Sequence, residues 1–298
     1  MHTTDTGAER GARANFDKVS STHDTGSSRS RAQAMTSEVK VSPLGAVLRE
    51  WRTVRRVSQL HLALAANVSS RHLSCVETGR AQPSRELIDR LAEALQVPFR
   101  ERNALFVAAG YAPSYRETDI SAPEMARARG AIELILKQQE PYPAIVLSRQ
   151  WDLLMANAGA ARVFGWLLGG PSSEKNVMRM AFDPNGLKPF IANWDEVARD
   201  LLRQLRSDVA AAPQDHRARA LLRDVLAYAD VPPQLSGDTA SNPLWAITYR
   251  KHGQQLKFFW TITTFGTAQD VTLQELRIEC SFPADEATDR LCRDLAAW

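Results

Sequence analysis

Residues 59–78, QLHLALAANVSSRHLSCVET, constrain the fold more than any other part of this 298-residue chain. Their apolar positions have the spacing of two short helices joined by a tight turn, and they are Leu62, Ala66, Val68, Leu73 and Val76. Asn67 stands where the turn requires a left-handed backbone, which Asn tolerates better than most residues. Ser69 or Ser70 then caps the second helix. The stretch therefore predicts two steeply crossed helices with a shared core.

The residues around this stretch resemble the helix-turn-helix of the Cro and lambda-repressor type, often called the XRE family. Gln59 opens the first helix, and Arg52 lies one to two helical turns before it. Glu77 and Gly79 stand in the sequence ETGR. The resemblance implies that Gln59 faces a DNA phosphate. It also implies that Arg52 and Glu77 form a partly buried ion pair with a structural role. An ordinary helical hairpin is the alternative.

The charge of the chain is unevenly distributed. Residues 41–116 carry eleven Arg and six Asp or Glu, a net charge of +5, whereas residues 117–298 have a net charge of −3. The basic excess therefore coincides with the two-helix stretch, where a polyanion such as double-stranded DNA would bind. A solvated Arg-rich surface is the alternative interpretation of the charge alone.

The sequence shows no feature of membrane insertion, metal binding or catalysis. It contains no apolar run long enough to span a bilayer, and residues 1–40, which we predict to be a disordered tail, contain no signal-peptide core. Cys75, Cys280 and Cys292 lack the spacing of metal ligands or disulfides, which indicates reduced thiols in a cytoplasmic protein. We find no catalytic constellation or phosphate-binding loop. We therefore expect neither an enzyme nor a cofactor.

The rest of the chain predicts a second, mixed domain. Residues 41–113 contain five short helical segments, residues 114–140 a linker and a connecting helix, and residues 141–298 a PAS-like domain. In that last domain we predict helices at 158–168, within 182–228 and at the C-terminus, and strands at 144–148, 151–157, 244–252, 254–266 and 271–282. On the last strand, alternation places Leu276, Ile278, Cys280 and Phe282 inward and Glu275, Arg277 and Glu279 outward.

Four motifs along the chain resemble the MmyB-like regulators, which are XRE-type transcription factors. The motifs are ETGR, ERNALFVAAGYAP, EPYPA and NWDEVAR. The resemblance covers residues 41–298. It implies an α+β, multidomain protein in which an all-α, five-helix, lambda-repressor-like DNA-binding domain precedes a PAS-like α/β sensor domain. It also implies a fatty-acid-like ligand, whereas composition and periodicity indicate only an apolar interior.

The outer face of the second helix is the predicted DNA-reading surface. Arg71 is the best candidate for a base contact, because Arg pairs bidentately with guanine; a phosphate contact is the alternative. His72 is a candidate base contact or a solvated helix residue. The complete set of candidate DNA contacts is Arg56, Gln59, Ser70, Arg71, His72, Ser74, Cys75 and Arg80.

The aromatic side chains of the second domain suggest an apolar ligand cavity with a polar mouth. Its candidate residues are Leu154, Asn157, Phe164, Phe190, Asn193, Trp194, Trp245, Tyr249, Arg250, Phe258, Trp260 and Ile278. For the polar members, a satisfied turn or strand residue is the alternative. The leading hypothesis is a homodimeric, DNA-binding transcriptional regulator that senses a small apolar ligand such as a fatty acid. The alternatives are a C-terminal domain that docks a protein partner or carries an unrecognised enzymatic activity.

Overall fold

A computed structural model describes residues 43–212, 214–228 and 246–297. The predicted tail at 1–40 and the candidate ligand residue Trp245 lie outside these ranges. Within the described residues, no helix combines the length and apolar content needed to cross a bilayer.

The N-terminal region consists of five helices, as predicted. They are α1 Pro43–Val54, α2 Gln59–Ala65, α3 Ser70–Glu77, α4 Arg85–Ala94 and α5 Phe99–Ala108. Ser58, Ser69 and Ser84 cap α2, α3 and α4, because each hydroxyl accepts a backbone N–H from the first turn of its helix. Asn67 has a φ of 49°, which confirms the left-handed turn. Leu48, Trp51, Leu62, Leu73, Ile88, Leu91 and Phe106 form the centre of the core that these helices share.

The predicted linker at 114–122 is held by residues on both sides of it. The Asn103 side chain on α5 accepts the backbone N–H groups of Ser114 and Tyr115, both at 2.9 Å. Further along, Thr118 Oγ1 donates to Asp270 Oδ2 at 2.7 Å. A 3₁₀ turn at Pro123–Met125 then leads into α6, Ala126–Gln138. The connection therefore follows a defined path between the helical region and the C-terminal domain.

The C-terminal domain is built on an antiparallel sheet of five strands in the described residues. The strands are β1 Ala144–Leu147, β2 Leu153–Ala156, β3 Ala246–Lys251, β4 Gln254–Thr263 and β5 Arg277–Pro283, in the spatial order β2-β1-β5-β4-β3. The helices are α7 Ala158–Leu168, α8 Val177–Phe182, α9 Trp194–Ala211, α10 His216–Leu226, α11 Val271–Glu275 and α12 Glu286–Ala297. His252 and Gly253, with φ values of 50° and 76°, form the predicted hairpin turn between β3 and β4.

The last predicted strand is wrong at its start. Residues 271–275 form α11, because the Asp270 carboxylate accepts the backbone N–H of Thr272 at 2.8 Å and caps a helical turn there. The strand β5 begins only at Arg277. As a result Glu275 ends a short helix, and its carboxylate accepts hydrogen bonds from Arg100 and Arg149.

The predicted inward face of β5 is confirmed, because Ile278 and Cys280 are buried. The predicted outward face is wrong, because the opposite face of the sheet is covered as well. Ile278 and Cys280 pack with α6 in one apolar cluster. Glu279, assigned outward by alternation, lies on the opposite face and lines a cavity under α9. A strand covered on both sides buries both alternating sets of side chains, so alternation does not identify a solvent face.

Candidate functional site

Helix α3 presents its polar face to solvent. Arg71 and His72, in its first turn, are exposed, whereas Leu73 and Val76 are fully buried under it. Ser74 and Cys75 are half-buried along the same helix, and Ser70 is its first residue. The exposed first turn is the part of a recognition helix that reaches base edges in helix-turn-helix proteins.

Glu77 anchors the far end of α3 to α1 and α2. Its carboxylate is 2 % exposed and accepts hydrogen bonds from Arg52 Nε at 2.8 Å, Arg52 Nη2 at 3.2 Å and Gln59 Nε2 at 3.0 Å. The predicted ion pair between Arg52 and Glu77 is confirmed. The Gln59 amide, expected to face a phosphate, has an internal partner as well. These contacts hold α3 at a defined angle to the two preceding helices.

Gly45 allows α1 to lie directly against the end of α3. A Cβ atom at this position would stand 2.0 Å from the carbonyl oxygen of Glu77, closer than any side chain tolerates. The close contact explains how a short α3 is supported from behind while its other face stays open. Arg56 and Arg80, the two candidate phosphate contacts that flank the helix, are exposed.

The C-terminal domain encloses an apolar cavity of about 70 Å³ between the sheet and its helical cover. Strands β3, β4 and β5 form its floor, and α7, α8 and α9 form its roof. The lining side chains include Ile145, Trp151, Val163, Phe164, Val177, Leu187, Val197, Leu201, Gln204, Ile247, Tyr249, Phe258, Trp260, Glu279 and Ser281. A larger open groove beside it shares four lining residues with the cavity, namely Ile145, Phe164, Val177 and Leu187.

The structure brings four of the twelve candidate ligand residues together in this cavity. They are Phe164, Tyr249, Phe258 and Trp260. Burial raises the pKa of the Tyr249 phenol above its usual range, so this hydroxyl stays protonated at neutral pH.

Asn157 and Asn193 do not line the cavity, because their amides complete backbone hydrogen bonds. Asn157 caps α7 and also joins β1 to the end of α6, since its Oδ1 accepts from Ala144 and Ala160 and its Nδ2 donates to Leu136 and Tyr142. Asn193 bonds to β3 in the same way, because Nδ2 donates to the Ala246 carbonyl and Oδ1 accepts from the Thr248 N–H. Both amides therefore have the hydrogen-bond partners expected of satisfied turn and cap residues.

The other candidates lie elsewhere. Leu154 is 41 % exposed in the open groove, Arg250 is exposed on β3, and Ile278 faces the α6 side of the sheet. Phe190 and Trp194 pack on the rim of the core without lining the cavity, and the rings of Trp194 and Phe182 form a T-shaped pair at a centroid distance of 5.0 Å.

Three polar cavity residues were missed by the sequence analysis, namely Gln204, Glu279 and Ser281. Burial away from bulk water raises the pKa of the Glu279 carboxyl to about 7, although the nearby positive charge of Arg277 acts to lower it. The sequence alone carried no signal for it, because the helices that cover this face of β5 are known only from the structure. No group of three or more His, Cys, Asp or Glu among the described residues is placed to hold a metal.

Comparisons with known proteins agree with this two-part arrangement. The family model described as "MmyB-like transcription regulator ligand binding domain" matches residues 128–295, more than half of the chain. The chain belongs to the MmyB-like regulator family. A family model described as "Helix-turn-helix domain" matches residues 43–105.

Two individual proteins show more distant similarity. An uncharacterised HTH-type transcriptional regulator, RghRB of Bacillus subtilis (strain 168), is 35 % identical over 85 residues, which are 28 % of this chain and 59 % of the relative. The solved structure of an RNA-binding Light-Oxygen-Voltage receptor aligns with 89 % of this chain and 68 % of its own at 14 % identity, with a TM-score of 0.23 that supports no structural argument.

A network of charged side chains links the cavity of this MmyB-like regulator to its helix-turn-helix region. Trp151, in the cavity wall, donates from Nε1 to Asp208 at 3.0 Å. Arg277 donates to the same carboxylate at 2.8 Å and to the Arg149 carbonyl at 3.0 Å. The Arg149 guanidinium then lies 2.6 Å from Glu101 on α5. The cavity wall and the DNA-binding region therefore share a continuous hydrogen-bonded path.

Proposed function

We propose that this chain is a DNA-binding transcriptional regulator whose affinity for its operator changes when a small apolar molecule occupies the cavity. The observation that carries the proposal is the path from Trp151 through Asp208, Arg277 and Arg149 to Glu101, because it joins a ligand-sized space to the region that contains α3. We place the DNA-binding domain at 41–113, the connection at 114–140 and a PAS-like sensor domain at 141–298.

Two features support DNA binding by α3. The exposed first turn carries Arg71 and His72, and the region around the helix has a net positive charge. Arg56 and Arg80 flank the helix at exposed positions suited to phosphates, and Ser70, Ser74 and Cys75 lie between them along the groove-facing side. Gln59 reaches a phosphate only if its amide is shared with, or released from, Glu77.

The lining of the cavity supports an apolar ligand body, such as the chain of a fatty acid. Burial of each methylene contributes about 0.8 kcal/mol, so affinity rises with chain length until the cavity and the space behind Phe164 are filled. Such a ligand changes DNA affinity only as far as it favours one arrangement of the linked regions over another. The chain would act in the cytoplasm, where its DNA target is found.

We further propose that the regulator binds DNA as a homodimer, since two symmetric recognition helices double the sequence that is read. On α6, which connects the two regions, the apolar residues Ile132 and Leu136 are buried within the subunit. Leu134, 55 % exposed on the same helix, is the remaining strong candidate for the interface.

A selection of random oligonucleotides with the full chain tests the proposal. We expect one recovered sequence motif with two related halves, and a change in its affinity when the cavity is filled by an aliphatic compound. Affinity should also fall steeply with salt, because phosphate contacts release counterions. Recovery of no preferred sequence at moderate salt would refute the regulatory role.

A further inference from the structure

The ligand cavity contains a single charged side chain among the described residues that line it, and that charge is the Glu279 carboxyl. The residue is half-buried by surface area because it borders the cavity, yet it is shielded from bulk water. No described residue donates a hydrogen bond to its carboxyl oxygens. Arg277, the nearest cation on β5, directs its guanidinium to Asp208 and to the Arg149 carbonyl. The carboxyl is therefore available to a ligand.

Three other polar groups in the cavity are also without hydrogen-bond partners in the described part of the chain. The Tyr249 hydroxyl, the Gln204 amide and the Ser281 hydroxyl line the same space as Glu279, and none of them has a hydrogen bond to another described side chain or backbone group. Buried polar groups in folded proteins are nearly always satisfied by protein, water or ligand. Their convergence on one space indicates a polar anchor within an otherwise apolar site.

Five aromatic side chains line the same cavity as this carboxyl. They are Trp151, Phe164, Tyr249, Phe258 and Trp260. The faces of such rings attract cations, and aromatic cages with an acidic side chain are suited to ammonium groups. The protein already uses one of these rings in this way, because the Arg277 guanidinium carbon lies 4.4 Å from the Trp151 ring centroid.

We propose that Glu279 pairs with a basic nitrogen of the ligand, so that the natural ligand of this cavity is a hydrophobic amine and not a carboxylate. The inference rests on the proposed ligand-binding function and specifies its chemical class. An ammonium group donates charge-assisted hydrogen bonds to the carboxylate, and these are about twice as strong as neutral ones. The alkyl or aryl body of the amine occupies the apolar lining beyond it.

A fatty acid lacks these advantages. No basic side chain among the described lining residues faces the cavity, so a ligand carboxylate would find no counter-ion. Two carboxylates that share a buried site repel each other unless one of them binds a proton. An alcohol avoids the repulsion but forms only neutral hydrogen bonds.

Three ligands with the same eight-carbon alkyl chain distinguish the contribution of the head group to affinity from that of the apolar body. We would titrate the full-length protein with n-octylamine, 1-octanol and octanoic acid by calorimetry at pH 8, where the empty site carries an ionised Glu279. We expect the amine to bind at least tenfold more tightly than the alcohol, and the acid to bind most weakly. Equal affinity of amine and alcohol, or tighter binding of the acid, would overturn the inference while leaving an apolar ligand site in place. Absence of binding by all three would overturn the ligand site itself.

The isosteric Glu279→Gln variant provides an independent test. It should weaken octylamine binding at least tenfold, leave octanol within about threefold, and improve octanoic acid. Glu133→Gln, at an exposed acid on the outer side of α6, is the matched control and should leave all three affinities unchanged. Equal loss of octylamine binding in both variants would mean that the amine responds to net charge, which would refute a specific role for Glu279.

Discussion

Arg149 Nη2 lies 2.6 Å from Glu101 Oε1, and this contact joins the turn before β2 to helix α5. Both side chains are largely buried, at 12 % and 5 % exposure. Arg149 also pairs with Glu275 at 2.9 Å and with Asp215 at 3.4 Å, so one guanidinium forms ion pairs with three carboxylates. The second carboxylate oxygen of Glu101 has no hydrogen-bond partner in the described structure. The buried negative charge of Glu101 is therefore balanced by Arg149.

Removal of Arg149 should both destabilise the protein and uncouple its two regions. Arg149→Met leaves the buried Glu101 carboxylate unpaired, which typically costs about 3–5 kcal/mol. We expect a lower urea midpoint, together with operator affinity that no longer responds to the cavity ligand. Arg203→Met is the control, because its guanidinium pairs with Asp200 at an exposed site and its loss should cost about 0.5 kcal/mol or less. An unchanged ligand response in Arg149→Met would show that coupling follows another route.

Arg71 should carry a large share of sequence recognition. Arg71→Ala should weaken specific DNA binding by about 1–3 kcal/mol if the guanidinium reads a guanine, with relaxed preference at that base pair. If Arg71 contacts a phosphate instead, binding should weaken uniformly across sequences and the salt dependence should decrease. Fluorescence anisotropy on operator and point-mutated duplexes distinguishes these outcomes. Arg290→Ala, at an exposed Arg on α12, should leave DNA affinity unchanged.

The contacts of Glu77 should determine whether α3 is held in position. Glu77→Gln removes the negative charge that Arg52 and Gln59 share, and it leaves the Arg52 guanidinium beside a neutral amide. We expect a loss of about 3–5 kcal/mol in the free energy of unfolding, since one partner of a buried pair is removed. Urea unfolding followed by circular dichroism measures the change. A loss below about 1 kcal/mol would mean that apolar packing alone positions α3.

The Glu279 carboxyl should make the stability of the empty protein pH-dependent. Its pKa is raised from 4.5 to about 7 in the folded state, so the folded protein binds more protons than the unfolded chain between these values. Stability should therefore fall as pH rises from 5 to 8. Tyr249 faces this region from β3, and its raised pKa keeps the phenol protonated throughout this window. Asp208 on α9 and Arg277 on β5 form an ion pair with each other beside the cavity wall.

The glutamine of the Glu279→Gln variant cannot ionise, so the stability of this variant should not fall between pH 5 and pH 8 through this site. We expect the variant to match the wild-type chain near pH 5 and to exceed its stability at pH 8 by about 1–3 kcal/mol. Thermal unfolding of both proteins across this range provides the measurement. Parallel pH profiles would show that the carboxyl remains well solvated.

Dimer formation should depend on an apolar contact. Leu134→Arg introduces a charge on the exposed side of α6 without altering the buried residues Ile132 and Leu136. We expect this variant to shift sedimentation toward the monomer and to weaken binding to a two-part operator. Leu154→Arg, at a comparably exposed leucine, is the control. A wild-type chain that remains monomeric both alone and on operator DNA would exclude the homodimer.

The sequence by itself determined the elements whose signals are local. The five N-terminal helices, their serine caps, the left-handed Asn67 and the hairpin at Gly253 all follow from short-range backbone preferences. Helix α7 begins and ends where its pattern predicts, at Ala158 and Leu168. The sequence also predicted an apolar interior lined by aromatic residues.

Only the tertiary structure decided which polar side chains face the ligand cavity. Asn157 and Glu279 are both polar residues in the sequence. The Asn157 amide forms four hydrogen bonds with backbone groups, whereas the Glu279 side chain lines the cavity. The alternation along β5 is the same whether one face or both faces are covered, so it could not identify the side that α9 closes. Likewise, the partners of Arg149 are distant in sequence and meet only because α5, α11 and the turn before β2 pack together. The physical reason is that burial and pairing depend on long-range packing, which local periodicity does not encode.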